Sequence, residues 1–212
     1  MLGNANFYNR TIRKVVVAFG TMFNDIQLQR YNKDRTQAYE IFKVPLSYGS
    51  KEKYLTRITS DPDLTKSIST AVPRMSFELT GMSYDASRKL PTTNRNFSAN
   101  NSTTSLQTQY LPVPYDFEFS MSIYVRNTED GTQILEQILP FFTPDFTVTM
   151  KMVPELNLNM DIPIELVSVT SDDCYEGDFE SRRLQTWQLD FVVKGYLFGP
   201  VNKFKYIVRE DI

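Results

Sequence analysis

Between Tyr115 and Val125 the chain alternates without a break: Tyr115, Phe117, Phe119, Met121, Ile123 and Val125 stand against Asp116, Glu118, Ser120, Ser122, Tyr124 and Arg126. A period of two with one polar face predicts a strand in an antiparallel or mixed sheet, wet on one side. Arg74 to Tyr84 repeats the pattern, with Met75, Phe77 and Leu79 on the apolar face. Near the N-terminus the period changes. Ile12, Val15, Val16, Phe19, Met22, Phe23 and Ile26 recur at three- and four-residue spacing and predict a helix, with Asn9 as its cap. Gly20 weakens that helix without ending it. A second helix follows Thr128, its predicted cap, and buries Ile134, Leu135, Ile138 and Leu139 until Pro140 and Pro144 stop it.

Weaker patterns fill the rest. Ile26 to Tyr31 and Tyr39 to Leu46 predict two strands around the polar turn Asn32–Gln37, the second ending at Pro45 because proline cannot donate to a ladder. Ser50 caps a short helix through Lys51, Tyr54, Leu55 and Ile58, and Asp61-Pro62 opens another. Further strands are expected at Phe146–Val153, Ile162–Thr170, Leu184–Phe198 and Phe204–Val208. Residues Pro91 to Gln109, rich in Thr, Asn and Ser, have little to bury and are expected to form a long polar loop. No linker divides the chain and no period repeats. The reading is a single α+β domain over residues 1–212: a twisted mixed or antiparallel sheet, a long N-terminal helix and a second helix near 128–140.

Composition removes several functions. The 212 residues carry 23 basic and 25 acidic side chains and no histidine. Imidazole triads, histidine–zinc sites and histidine relays are therefore excluded. A net charge of −2 argues against a dedicated duplex-binding surface. The one cysteine, Cys174, fits a reducing compartment. Arg10, Arg13 and Lys14 before the apolar run Val15–Phe19 imitate a signal peptide, but Asn24 and Asp25 follow without a cleavage site, and the run is far short of a membrane span.

The candidate chemistry is thin. Ser50-Lys51-Glu52-Lys53 matches the Ser-x-x-Lys element of serine enzymes, yet an N-cap serine beside a solvated lysine explains it better. The acidic run Asp172–Glu180 places Gly177 as a calcium loop would, but Cys174 and Arg183 stand where ligands belong. An exposed connection partly neutralised by Arg182 and Arg183 is favoured. Asp116 and Glu118 share a wet face without an apolar pocket to separate their pKa values. Glycines are too dispersed for a phosphate-binding loop. No catalytic, cofactor or metal residue is assigned, and a non-enzyme is expected.

Several segments, in order, resemble the tail sheath stabilisers, or tail terminators, of T-even-like contractile-tailed bacteriophages. They are Val44 to Glu52, Val72-Pro73-Arg74-Met75, Gln109 to Pro114, Ile134 to Phe142 and Ser181-Arg182-Arg183, with a similar N-terminal helix and a final strand bearing Trp187. The resemblance covers about residues 7 to 200. Longer members continue into a polar, proline-rich C-terminal extension. The resemblance implies a structural virion protein: a six-membered ring at the head-proximal end of the tail that caps the extended sheath and joins tail to neck and head. The implied partners are further copies of itself, the sheath protein, the tube or tube terminator and head-completion proteins. DNA would pass through the ring unbound, no membrane is involved, and assembly would occur in the host cytoplasm. The expected contact residues are Asn94, Arg95 and Phe97 in the polar loop, Pro45 and Phe204 with Tyr206 at strand edges, and Arg182 with Arg183. The alternatives are another virion connector, such as a tube terminator or neck protein, or an enzyme with a carboxylate-bound metal.

Overall fold

The computed structural model describes residues 7–31, 38–59, 72–99, 105–153, 158–174 and 184–205. At its centre two long strands, β7 (Val113–Val125) and β10 (Leu184–Leu197), run antiparallel, with Phe119 opposite Phe191 and Met121 opposite Leu189. Beyond β7 lie β4 (Arg74–Tyr84) and the short β3 (Leu46–Tyr48), which pairs parallel to it. Beyond β10 lie β9 (Leu158–Cys174) and β8 (Asp145–Val153). The six-stranded order is β3-β4-β7-β10-β9-β8, a mixed sheet as expected. Register shifts at Leu79/Gly81, Asp190/Phe191 and Lys151/Val153 curl it, because an extra residue bends its strand and adds twist.

The apolar face of the sheet is covered by α1 (Thr11–Met22). Phe19 stacks on Phe119 with ring centroids 4.4 Å apart and meets Phe191 edge-on at 5.2 Å. Burying a ring of this kind contributes about 1.5–3 kcal/mol. Gly20 leaves the helix surface bare where the Phe77 ring presses in, which is why a helix-weakening residue stands there. Two details differ from the sequence expectation. Ile12 is exposed, since it lies beyond the stripe that faces the sheet. Asn9 does not cap the helix. Arg10 occupies that position at φ 55°, and the Asn9 amide instead donates to the carbonyls of Phe198 and Gly199 at 3.0 and 3.1 Å. Those carbonyls follow the end of β10 and have lost their ladder partners, so they compete successfully for the amide.

The second helix, α3 (Thr128–Ile138), buries Ile134, Leu135 and Ile138 as expected. Its cap is Asn127 rather than Thr128, with no side-chain bond, and Leu139 turns outward as Pro140 tightens the chain into a 3₁₀ turn. Gly131 lies against the indole of Trp187, whose Nε1 is buried without a hydrogen-bond partner among the described residues. Beside α3 runs a two-stranded ribbon, β1 (Gln27–Tyr31) with β2 (Ala38–Lys43). The carboxamides of Gln133 and Gln137 lie along β1 like a short extra strand. Gln133 exchanges bonds of 3.2 and 3.0 Å with the N–H and C=O of Gln29, and Gln137 bonds of 3.3 and 2.7 Å with those of Gln27. The spacings match, because four helical residues rise about 6 Å and two strand residues about 6.7 Å.

The polar face of β7 is not wet throughout. The helix α2 (Lys51–Thr59) covers its far end, so Ser122 and Tyr124 are buried. The Tyr124 hydroxyl lies 3.1 Å from Ser76 Oγ and donates to the Lys51 carbonyl at 3.2 Å. Residues 91–109, expected as a loop, contain two strands, β5 (Arg95–Ala99) and β6 (Ser105–Tyr110). With β11 (Asn202–Lys205) they form a separate sheet ordered β11-β6-β5. Main-chain ladders need no apolar alternation, and Gln109 anchors the sheet by donating to the Gly199 carbonyl at 2.7 Å. The expected helix at Asp61-Pro62 and the turn Asn32–Gln37 lie outside the described residues.

Candidate assembly surfaces

The face of the sheet away from α1 carries a set of ion pairs. Arg88 holds Asp85 at 2.6 Å, pairs with Asp116 and lies over the Tyr196 ring. Hydrogen bonds from Ser87, then from Arg88, keep the Asp85 carboxyl well below the usual carboxylate range. Burial works against the Arg88 charge, but its carboxylate partners outweigh it and the guanidinium pKa is raised. Asp190 accepts from Ser120, Ser168 and Gln188 at 3.0, 2.8 and 3.2 Å, and Lys194 pairs with Glu165. These are fixed ions tying neighbouring strands together. Among the described residues, no group of three or more His, Cys, Asp or Glu is placed to hold a metal. Nor is any helix there long and apolar enough to cross a membrane.

Strand edges offer a different chemistry. Six strands lie at the margins of the three sheets: β3 and β8, β1 and β2, β11 and β5. They are unequal. The glutamine ladder closes β1, and β3 is only three residues long. Near the end of β8, Lys14 donates to the carbonyls of Lys151 and Met152 at 3.2 and 2.7 Å. Among the described residues, β2, the first part of β8, β5 and β11 keep an unpaired side. Such edges are templates for strand addition.

Four of the sequence-selected contact residues belong to the small sheet, but the structure does not bring all four together. Arg95 and Phe97 lie in β5 with Asn94 just before it, and Phe204 lies in β11 at the opposite margin, across β6. Phe97 is 65% exposed, while the Arg95 guanidinium lies 4.5 Å from the Tyr110 ring centroid and donates to its hydroxyl at 2.7 Å. Pro45 stands apart. It is exposed between β2 and β3, and its carbonyl accepts from Met75 N–H at 2.9 Å, so it links the ribbon to the main sheet and is no free edge. Arg182, Arg183 and Tyr206 lie outside the described residues.

Sequence reasoning missed an apolar groove of about 210 Å³ between α1, the 3₁₀ turn and β8, lined by Phe23, Ile26, Ile138, Phe141, Phe142 and Phe146. Phe141 is 63% exposed at its lip. The signal was Phe141-Phe142 between two prolines, a pair too short for a helix to turn wholly inward.

Comparison with known proteins fits a surface built for contact. Over residues 6–212 the chain matches the family model described as the T4-like virus Myoviridae tail sheath stabiliser. It is 34% identical over 211 residues to the tail completion protein gp15 of Enterobacteria phage T4, covering 96% of this chain and 76% of that protein. The chain belongs to the T4-like tail sheath stabiliser family, and its role is a structural one in the phage tail.

Proposed function

We propose that six copies close head-to-tail into a ring at the head-proximal end of a contractile tail. There the ring caps the sheath, holds it extended and joins the tail to the neck. The supporting observation is the inequality of the sheet edges: some are sealed by side chains and others are open, which gives one subunit two different faces. A closed ring of identical subunits needs that, since a self-complementary patch makes only pairs. The partners are the sheath protein, the tube or its terminator and head-completion proteins, with DNA passing through the ring unbound. The sheath contact is strand addition by an extended arm at β11 or β2. Assembly takes place in the host cytoplasm and the product resides in the virion.

Light scattering on the purified protein, with negative-stain images of the same sample, tests the ring. A particle of about six times 24.6 kDa supports it. A monomer that also fails to add to sheath-bearing tail ends overturns it. Binding to purified tube rather than sheath would favour a tube terminator instead. Phe204→Pro removes a main-chain donor from the edge strand β11 and is expected to weaken sheath attachment, and full retention would count against β11.

A further inference from the structure

The six-stranded sheet does not end in straight margins. On one side β3 covers only the first part of β4, pairing Leu46–Tyr48 with Met75–Phe77. Among the described residues no strand pairs with that side of β4 beyond Phe77. On the other side β8 covers only the first part of β9, from Leu158 to Glu165, and among the described residues that side of β9 has no strand from Leu166 on. Burial falls away to match. Met82 and Tyr84 are 48% and 47% exposed, and Val167 and Val169 are 64% and 37% exposed. Each margin thus has one projecting strand and one notch.

The registers make the two margins complementary. Followed across the sheet, Tyr48, Phe77, Met121, Leu189 and Val169 stand on one level, so β3 lies level with the β9 notch. Met82, Phe117, Val193, Ile164 and Phe146 stand on another, so the start of β8 lies level with the β4 notch. β3 ends level with Leu189 and β8 begins level with Val192, about 10 Å apart along the strands. A single strand position therefore holds both, end to end, without collision. The side chains agree with this. Leu46–Tyr48, Leu79–Tyr84, Phe146–Met150 and Leu166–Ser171 contain no charged residue and no proline. The open edges outside this sheet carry Glu40 and Lys43 on β2, Arg95 on β5 and Lys203 with Lys205 on β11. Charges on an edge resist unwanted pairing, and a bare apolar edge invites it.

We propose that the stepped margins of successive copies interlock: β3 of one copy fills the β9 notch of the next, and the start of that next copy's β8 fills the β4 notch of the first. This inference rests on the ring reading above and supplies its subunit contact. β3 runs antiparallel to the β9 it joins and β8 parallel to the β4 it joins, because β3, β4, β8 and β10 share one direction and β9 has the other. On the face that α1 covers, Tyr48 meets Val169, Met82 meets Phe146 and Tyr84 meets Val148. Neighbours join without sliding along the strands, since each projection is already level with its notch. A slide repeated at every copy would build an open helix in place of a ring. An extended arm of another protein would also add to either notch. Such an arm leaves the match between the two margins unexplained, which favours a second copy.

The test uses the full chain with Cys174→Ser in every variant. Two double variants place cysteines on levels that only neighbouring copies bring together: Tyr48→Cys with Val169→Cys, and Ser83→Cys with Thr147→Cys. Within one copy each pair is four strand positions apart, about 19 Å along the sheet and far beyond disulfide reach. Mild oxidation or a short bis-maleimide is expected to join each double variant into a covalent ladder reaching six copies. Each single-cysteine variant is expected to stay monomeric on a denaturing gel. Val169→Lys and Tyr84→Lys change exposed positions, and circular dichroism and urea melts confirm that they fold. Each is expected to need on the order of tenfold more protein to form the ring, because a lysine is buried in the joint. A wild-type ring whose double variants do not join overturns the proposal, as do dimers from a single-cysteine variant, the mark of a self-complementary contact. Lysine variants that ring like wild type overturn it too, and if they also lose the sheath the notches belong to an arm. If wild type forms no ring in solution, the same variants are scored on tail ends lacking the protein. Wild-type failure to add there sinks the ring reading itself, a result distinct from a ring that forms without the joins.

Discussion

Removing the glutamine ladder is the most direct test of how the ribbon is held. Gln133→Ala and Gln137→Ala each delete two hydrogen bonds to β1, at 3.2 and 3.0 Å and at 3.3 and 2.7 Å. A net 0.5–1.5 kcal/mol per bond is typical, and these bonds are exposed enough for water to replace them, so the lower half of the range applies. Each substitution should cost about 1–2 kcal/mol, less a few tenths returned by the better helix propensity of alanine. With a urea dependence of about 1–3 kcal/mol/M, the midpoint should fall by roughly half a molar for each single variant. Hydrogen exchange at the Gln27 and Gln29 amides should accelerate in step. Gln137→Glu adds a sign. At neutral pH its carboxylate accepts from Gln27 N–H but repels Gln27 C=O, so the loss is at least that of alanine. As pH falls through the carboxylate range, the protonated acid regains a donor and the deficit shrinks. A double alanine variant with an unchanged midpoint, unchanged slope and retained amide protection would refute the claim that these side chains close the strand.

Other expectations follow from the same geometry. Gly20→Ala should destabilise by about 1–2 kcal/mol despite a propensity gain of up to 1, because the new Cβ would stand 2.7 Å from Phe77 Cζ and that ring is wedged between Phe19 and Tyr48; a rise in the urea midpoint would contradict this. Tyr124→Phe leaves Ser76 and the Lys51 carbonyl without their partner and should cost about 1–2 kcal/mol in the same melts. Asp85 has a depressed folded pKa, so its contribution is complete above the ordinary carboxylate range near 4 and fades as pH falls below it. The stability gap between wild type and Asp85→Asn should therefore be constant at neutral pH and narrow in strong acid; a gap that narrows between pH 8 and 6 would contradict the assignment.

How much was legible depended on whether a strand had one apolar face. β7 and β4 announced themselves because Phe119, Met121, Met75 and Phe77 all point into one core. The strands β5 and β6 did not. Their ladder is made of main-chain groups, and buried Gln107, Thr108 and Gln109 look like loop residues in sequence. Caps failed for a related reason: the Asn9 side chain is drawn away from the helix by bonds its NH2 donates to the Phe198 and Gly199 carbonyls, which only the fold brings within reach. Family resemblance reached the role in the tail from ordered motifs, but it carried no contact geometry. Which edge is open and which is sealed is a property of residues a hundred positions apart, as Gln29 and Gln133 are.

Trp187 gives this architecture an internal signal. It is the only tryptophan in the chain, and its indole N–H is buried beside Gly131 with no partner among the described residues. Its emission therefore reads one seam, where α3 rests on β10, and should be blue-shifted for lack of a polar neighbour. The same helix grips the ribbon through Gln133 and Gln137. A neighbour or sheath arm that pulls on the ribbon would lever the helix, let water reach the indole and redden the emission. Docking on the small sheet, far from the seam, would leave it unchanged. One optical measurement on unlabelled protein thus distinguishes which margin is engaged as assembly proceeds.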